Sequence, residues 1–413
     1  MMYSKWRIMG IRKAFQKVSS IFKSLFKGRL KPSFHREWEG RYSPIVTRIL
    51  SDAMLFNEIP PVSSEESPRG EFILRKLHEF GIYEPYQDEV GNIAAIFPAS
   101  RFTDKYVLLY TDMGTEQYSP LESLVHLTET QAKGIGISDE SIGVAALLNF
   151  VEQMQTTSYE YPQNVICLFT NLSEERGEFK ALDTFLKNFP GIISFALYVS
   201  SIHLGNFEPQ PIGHCKLSVR ISTPEQDILD HSNGSSSVTV LSHIAFQLGN
   251  IQWDKESKTA LNIARIDAGI GFGYYPNEGV LDLEMFSLNP AILEMMKNTV
   301  TATIEKIVLE MGAKADIQLL SHVPPGNPEL NSVLHRTLKE VYRQLKIEEY
   351  SISVPTKTAF LQSFNIPAIT LGITRGKKGK QEEYIEIAPI EVGFRQLHSF
   401  LELGIEAMEL DEP

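Results

Sequence analysis

This sequence has very few cysteines and no long apolar run. Its first 33 residues contain no acidic residue. Its 413 residues include only two cysteines, Cys167 and Cys215, which excludes a disulfide-stabilised secreted scaffold and predicts a reducing, cytoplasmic location. No stretch approaches the ~20 consecutive apolar residues of a membrane-spanning helix. Hydrophobic residues make up 43% and charged residues 22%, which is the composition of an ordinary globular protein. At roughly 100–200 residues per domain, the length predicts two or three domains.

The first 33 residues contain nine lysines and arginines but no aspartate or glutamate. The whole chain has 39 basic and 51 acidic residues, so the remainder has 30 and 51 and a net charge of −21. Such an acidic body argues against nucleic acid as the partner, because phosphate binding depends on clustered basic residues. The apolar residues of the basic segment recur at helical spacing, at Ile11, Phe15, Val18, Phe22 and Leu25.

This spacing predicts a basic amphipathic helix at the N-terminus. Such a helix can lie on a membrane surface, here through residues 5–31, with its apolar face in the interface and its cations over anionic headgroups. The protein would then be peripheral at the inner face of the membrane. Packing of the helix on its own domain, or a role in targeting, are the alternatives.

Hydrophobic periodicity predicts alternating strands and helices over residues 43–212. The expected strands are 92–97, 105–110, 164–170 and 195–199, and the expected helices are 44–57, 68–81, 142–155 and 174–188. Strands that alternate with helices indicate an α/β domain with a mainly parallel sheet.

Residues 213–322 instead follow a βαββαβ order, which predicts a small ferredoxin-like domain. A helix (329–345), a strand (368–372) and a final helix (392–410) then indicate a return to the first domain. The predicted organisation is therefore a basic segment (1–42), a catalytic-type α/β domain in two parts (43–212 and 323–413), and an inserted lid or dimerisation domain (213–322).

Acidic residues stand at the ends of predicted strands or the starts of predicted helices, where α/β sheets place their sites. They occur in Tyr110-Thr111-Asp112, in Ser138-Asp139-Glu140-Ser141 and in the stretch that contains Glu174 and Glu175. Each has a structural alternative. Asp139 can cap the helix that follows it, and the two glutamates can interact favourably with a helix N-terminus.

Together, the order of these motifs and the inserted domain resemble the zinc peptidase clan of aminoacylases, glutamate carboxypeptidases and tripeptidases, and peptidase T most of all. The resemblance covers about residues 45–410. It implies an α/β catalytic domain with a lid or dimerisation domain, a homodimer or a dimer with a related chain, a peptide-like ligand and two zinc ions. By resemblance, Asp139 is the aspartate that bridges the metals, Glu174 the general base and Glu175 a metal ligand. Asp112 is the aspartate that orients the first metal-binding histidine.

The departures from the family pattern fall on the metal ligands. The first histidine ligand is replaced by Tyr110 and the aspartate ligand by Ser200, and the last-ligand loop, residues 376–384, contains no histidine. Gln226 stands at the position of the lid histidine, Gly273 at that of the lid asparagine, and Lys357 at that of a loop aspartate.

Asp139 and Glu175 are then the residual ligands, which is too few for catalytic zinc with its usual three protein ligands. His203 is the one nearby histidine that could substitute. Without a metal, Glu174 would have no activated water to act on. The acidic side chains would also need other positive charge nearby. Lys357 is the leading candidate, with Arg375, Lys377, Lys378 and Lys380 on the last-ligand loop; solvated loop lysines are the alternative.

The main functional hypothesis is accordingly a peptidase T-like protein that has lost most metal ligands and acts in binding or regulation without a cofactor. The chief alternative is an active zinc-dependent tripeptidase, aminopeptidase or N-acyl amino acid hydrolase with a non-standard site. A third class is an enzyme that uses the cleft for metal-free chemistry, although no Ser–His–Asp or Cys–His spacing supports it.

Overall fold

A computed structural model provides the structure of most of this chain. It describes residues 42–60, 68–114, 123–157, 159–171, 179–226, 235–253, 256–351, 357–379 and 382–411. The chain divides into two units, residues 1–47 and 48–413, and apart from the first turn of one helix, the fold described below is that of the second. The predicted amphipathic segment and both Glu174 and Glu175 lie outside the described residues.

A six-stranded, mainly parallel sheet forms the centre of the larger α/β region, in the order β1-β2-β6-β3-β7-β12. Strand β3 pairs in parallel with β6 and β7, and β12 pairs in parallel with β7. Every residue of β6 is buried, as expected for a parallel strand covered on both faces. The strands are β1 (Tyr86–Gln87), β2 (Ile93–Phe97), β3 (Lys105–Asp112), β6 (Asn164–Thr170), β7 (Ile192–Ser200) and β12 (Ala368–Gly372).

A second sheet is antiparallel throughout and has the order β11-β8-β10-β9. With its two helices it follows the chain order βαββαβ. Residues such as Val219, Leu281, Ile244 and Val300 form one apolar core between the strands and the helices. The elements are β8 (Gly213–Ser222), α5 (Ser237–Gly249), β9 (Ala260–Ala268), β10 (Glu278–Ser287), α6 (Pro290–Glu310) and β11 (Lys314–Val323). The predicted fold class, a mainly parallel α/β sheet with a ferredoxin-like insertion, is confirmed.

A third, small sheet was not predicted, because its strands have only two or three residues each. Its order is β13-β14-β5-β4, and it joins a hairpin late in the chain to strands near residue 130. The strands are β4 (His126–Leu127), β5 (Gln131–Lys133), β13 (Gly376–Lys377) and β14 (Tyr384–Glu386). This sheet places the predicted last-ligand loop beside the segment that contains Asp139.

Of the remaining helices, the short one at Thr358–Ser363 has no counterpart among the predicted helices, and one other differs from its predicted range; the rest agree to within a few residues. The helix expected over residues 174–188 begins at Lys180 in the described chain, because Phe179 has a left-handed backbone with φ of +68°. None of the helices in the described ranges combines the length and apolar character that crossing a bilayer requires. The helices are α1 (Pro44–Asn57), α2 (Pro68–Glu79), α3 (Ile142–Thr156), α4 (Lys180–Asn188), α7 (Ser332–Leu345), α8 (Thr358–Ser363) and α9 (Ile390–Asp411).

Candidate functional site

The carboxyl ends of β3 and β6 bring the first polar residues of the site together. Asp112 ends β3 and lies opposite Thr170, the last residue of β6. The Thr170 hydroxyl donates a hydrogen bond to Asp112 Oδ1, and the aspartate is buried. This is the edge at which open parallel sheets place their sites.

Two tyrosine rings on neighbouring strands, tilted by 35° to each other, pack together near this edge. Tyr110 of β3 pairs with Tyr198 of β7, and their ring centroids are 5.0 Å apart. The Tyr198 hydroxyl donates a hydrogen bond to Oε1 of Glu140. Burial, together with the charge of Glu140, raises the pKa of Tyr110 well above its usual range. Tyr110 therefore stays a neutral phenol, whereas the family pattern has an imidazole at this position.

Lys357 brings a basic nitrogen into this cluster. It stands directly before α8, and its Nζ contacts Asp112 Oδ2 and lies 3.8 Å from Glu140 Oε1. The same nitrogen lies 5.1 Å from the centroid of the Tyr198 ring, within the range of a cation–π contact. Burial, and secondarily the charge of Lys378, lowers the pKa of Lys357 to about 7. The neighbouring carboxylates oppose this shift because they favour the charged form.

Asp139 lies in a π-helical turn, Ile137–Ser141, that leads directly into α3. It is not the N-cap of that helix, so the capping alternative is wrong: Ser141 precedes the first helical residue and has helical backbone angles. The Asp139 Oδ1 accepts a hydrogen bond from Lys378 Nζ at 2.9 Å. The side chain of Asp139 is buried, whereas that of Lys378 is 40% exposed.

Close packing against β7 holds this turn in place. The Ser201 hydroxyl oxygen accepts hydrogen bonds from the backbone N–H groups of Ile142 and Gly143, each at 3.1 Å. A β-carbon on Gly143 would lie 2.5 Å from the carbonyl oxygen of Val199. Glycine is therefore required here, since only it lets the start of α3 approach the end of the strand this closely.

The β13–β14 hairpin is tied to the π-helical turn at two points. Lys378 follows β13 and bonds to Asp139, and Glu383 precedes β14 and accepts hydrogen bonds from both the backbone N–H and the hydroxyl of Ser138, each at 2.9 Å. Burial raises the pKa of Glu383, although the bonds from Ser138 act in the opposite direction.

Ser200 and His203 lie at the end of β7. Ser200 is the last residue of the strand and pairs with Gly372 of β12. His203 follows in a left-handed conformation with φ of +74°. Burial, and then the charge of Lys378, lowers the pKa of His203, so its imidazole is neutral at physiological pH.

The described residues thus contain Tyr110, Asp112, Asp139, Ser200 and Lys357 at one end of the main sheet, while Glu174 and Glu175 lie outside the described ranges. Sequence reasoning missed Glu140 and Tyr198. The only sequence feature that could have identified them is their position, because each lies within two residues of an assigned site residue.

The residues described here do not fit a pair of zinc ions. Among them, no group of three or more His, Cys, Asp or Glu side chains could hold a metal. A lysine nitrogen already lies against the carboxylate of Asp112, and another lies against that of Asp139. Tyr110 and Ser200 offer neutral hydroxyl groups where zinc prefers imidazole or carboxylate.

Comparisons with known proteins identify the fold. No family model and no curated protein sequence matches the chain. Among solved structures, a tripeptidase from Staphylococcus aureus has a TM-score of 0.67 at 16% identity, with 87% of this chain and 99% of that chain covered. A di-peptidase from Saccharomyces cerevisiae has a TM-score of 0.67 at 15% identity, covering 88% and 98% of the two chains.

A third structure, from Bacillus subtilis, is described as a dinuclear metal-binding peptidase of the M20 family. It has a TM-score of 0.59 at 13% identity and covers 88% of this chain and 99% of its own. The resemblance found in the sequence therefore holds for the fold of the 87–88% of the chain that these structures cover. The chain shares its fold with the M20 peptidases.

Proposed function

We propose that this protein is a peptidase-fold protein that binds a peptide-like ligand without hydrolysing it, because lysine side chains occupy the position of the catalytic metals. The observation that carries the proposal is the placement of Lys357. Its Nζ contacts Asp112 and lies 3.8 Å from Glu140, at the sheet edge where open parallel sheets place their ligand sites.

Electrostatics support the same assignment. Buried carboxylates need positive charge nearby, and a metal ion is usually the largest such charge in a site. Here the amino group of Lys357 lies against the carboxylates of Asp112 and Glu140, and that of Lys378 lies against the carboxylate of Asp139. Bulk water is a very weak acid, and without a metal nothing among the described residues lowers its pKa toward about 7, so a general base alone would act slowly.

The class of ligand, the oligomeric state and the cellular location are further parts of the proposal. A peptide-like ligand is suggested by the fold, since two of the similar structures are a tripeptidase and a di-peptidase. We further propose a dimer through the antiparallel sheet and a cytoplasmic location. Both cysteines are free and buried, which is compatible with a reducing compartment.

Metal content tests the proposal directly. We expect protein purified without chelator to contain only traces of zinc, and added zinc to leave its melting temperature unchanged. Ligand binding to the native state raises stability by RT ln(1 + [L]/Kd), so even a weak site would be detected. The peptidase from Bacillus subtilis that is described as dinuclear and metal-binding, prepared in parallel, serves as the positive control.

One or two zinc ions per chain, together with a melting temperature that falls when a chelator removes them, would overturn the proposal. That result would favour the alternative of an active hydrolase whose site is completed by His203 or by residues outside the described ranges. Hydrolysis of di- and tripeptides would then be the assay to perform.

A further inference from the structure

The contact between Lys357 and Asp112 places an amine directly against a carboxyl group inside the fold. Lys357 Nζ contacts Asp112 Oδ2, and the two side chains are only 17% and 3% exposed. An amine and a carboxyl group are the two halves of an amide bond. Groups that a protein holds in contact react as if each were present at a very high concentration. The contact is therefore a possible site of covalent bond formation as well as an ion pair.

The two carboxyl oxygens of Asp112 have different surroundings, which suits the transfer of an acyl group. Oδ1 accepts a hydrogen bond from the Thr170 hydroxyl, whereas Oδ2 lies against the lysine nitrogen. A donor at Oδ1 stabilises the negative charge that develops there when a nucleophile adds to the carboxyl carbon. Oδ2 is then the oxygen that leaves. The register of β3 and β6 places Thr170 opposite Asp112, so backbone pairing fixes this donor.

A second carboxylate lies beside the same nitrogen. Oε1 of Glu140 is 3.8 Å from Lys357 Nζ, and Glu140 is buried. The Tyr198 hydroxyl donates a hydrogen bond to this oxygen and holds the side chain in place. The distance is somewhat longer than a hydrogen bond, but catalytic hydrogen bonds often shorten only as the reaction proceeds. Glu140 can therefore move a proton between the nitrogen and the leaving oxygen.

Burial favours the amide over the ion pair. An ammonium group and a carboxylate both lose hydration when they are buried, and this loss is costly. An amide carries no charge, so condensation removes both ions from a site with little access to water. The same lack of water slows the reverse reaction, which is hydrolysis. Burial also lowers the pKa of Lys357, which increases the share of the neutral, nucleophilic amine.

We propose that Lys357 and Asp112 condense to form an isopeptide bond, with Glu140 as the proton relay. The lysine nitrogen attacks the carboxyl carbon of Asp112 and the C–N bond forms. The bond from that carbon to Oδ2 breaks, and the oxygen leaves as water with two of the three protons of the ammonium group. Glu140 accepts one of these protons, passes it to Oδ2 and ends unchanged. An ion pair thus becomes a neutral amide and one water, and no oxidant, reductant or other reactant is needed.

The condensation should be slow, because an ionised carboxylate resists attack by a nucleophile. Freshly prepared protein then contains mostly the ion pair, and Lys357 can titrate only in the molecules that have not condensed. The inference rests on the same lysine contact as the proposed function but goes beyond ligand binding. The bond would join the end of β3 covalently to the residue directly before α8.

Mass spectrometry of the full-length protein tests this inference. We expect wild-type protein that is incubated at physiological temperature for several days to lose the mass of one water. A tryptic digest should then contain a branched peptide that joins residues 112 and 357. The linked chain should also migrate faster in a denaturing gel, because it cannot extend fully.

Two variants separate the condensation from the ion pair. Lys357→Arg keeps a cation beside Asp112, but a guanidinium group stays protonated and is not a nucleophile, so this variant should not lose water. Glu140→Gln should link about a hundredfold more slowly than the wild type, because the proton relay is removed. Circular dichroism establishes that each variant is folded.

The ion pair between Lys76 and Asp52 is a matched control within the same molecule. Its nitrogen and oxygen are 2.7 Å apart, and its side chains are 19% and 5% exposed. The second carboxylate near this lysine, that of Glu79, is 55% exposed and so lies in water. We therefore expect no branched peptide that joins residues 52 and 76.

A wild-type digest without the peptide that joins residues 112 and 357 would overturn the inference, whether or not the variants fold. If the same sample contained no zinc, the proposed function would still stand. Equal linkage in folded Glu140→Gln protein, an equal loss of water in Lys357→Arg, or equal linkage at residues 52 and 76 would also overturn the inference. The loss of water would then be non-specific dehydration.

Discussion

Replacement of Lys357 with methionine should make the stability of the protein depend on pH in a defined way. Methionine keeps the length of the side chain but removes the nitrogen that contacts Asp112 and lies 3.8 Å from Glu140. Both carboxylates are buried. Breaking a buried ion pair by removal of one partner typically costs about 3–5 kcal/mol. The hydroxyl groups of Thr170 and Tyr198 still donate to these carboxylates. We therefore expect the substitution to lower the free energy of unfolding by about 3 kcal/mol at pH 6, where Lys357 carries its proton.

The sign of the pH dependence follows from proton binding in the two states. The pKa of Lys357 is lowered to about 7 in the native state, below its ordinary value of 10.5. Between these values the unfolded state holds a proton that the native state lacks, so wild-type stability gains about 1 kcal/mol per pH unit relative to the methionine variant. At acidic pH, Asp112 and Glu140 of the variant can also accept protons, which reduces the penalty. The cost of the substitution should therefore increase from pH 5 to pH 9.

Urea unfolding monitored by circular dichroism at several pH values measures this cost. The control is Lys187→Met, because Lys187 forms an exposed ion pair with Asp183 at 2.6 Å. It should cost less than about 1 kcal/mol at every pH. A cost for Lys357→Met that is equally small, or that decreases toward alkaline pH, would refute the placement of a buried lysine among carboxylates.

Three further outcomes are expected from the same geometry. The variant Asp112→Asn should lower the free energy of unfolding less in the Lys357→Met background than in the wild type. A double-mutant cycle should give a coupling free energy of about 1–3 kcal/mol. Strictly additive effects of the two substitutions would contradict the contact. The variant Lys378→Ala should cost less than about 1 kcal/mol, and the cost should vanish at high salt, because its ammonium is partly solvated. The variant Gly143→Ala should cost about 2 kcal/mol or more by thermal unfolding, since its β-carbon would lie 2.5 Å from the Val199 carbonyl. By contrast, Gly249→Ala should be neutral or stabilising, because its β-carbon would meet no atom within 4 Å.

The regular elements could be predicted from sequence because their signals are local. Strand β6 (Asn164–Thr170) is an apolar run with polar ends, and the strand Ala368–Gly372 is bounded by a turn and a loop; both agree with the predicted ranges. Helix α5, the first helix of the predicted βαββαβ order, begins at Ser237, and the side chain of Ser236 before it accepts a hydrogen bond from the backbone N–H of Thr239. Local periodicity and capping were sufficient for these elements.

The site was only partly predictable, because its geometry depends on contacts between residues far apart in sequence. Lys357 was proposed as a source of positive charge from its position in the family pattern, but its contact with Asp112 joins residues 245 positions apart. The pairing of Tyr110 with Tyr198 follows from the register of β3 and β7, which no local signal specifies. The small sheet that brings Lys378 to Asp139 was missed for the same reason.

The absence of a side chain at Gly143 has a consequence for how this cleft could change during evolution. The close approach of α3 to β7 holds the turn that contains Asp139, and the hydrogen bonds to Ser201 fix it further. The position of the carboxylate is therefore determined by backbone packing and not by the cation opposite it. One kind of cation could thus be exchanged for another, a metal ion for an ammonium group or the reverse, through substitutions at the periphery of the site, while the scaffold that presents the aspartate stayed unchanged.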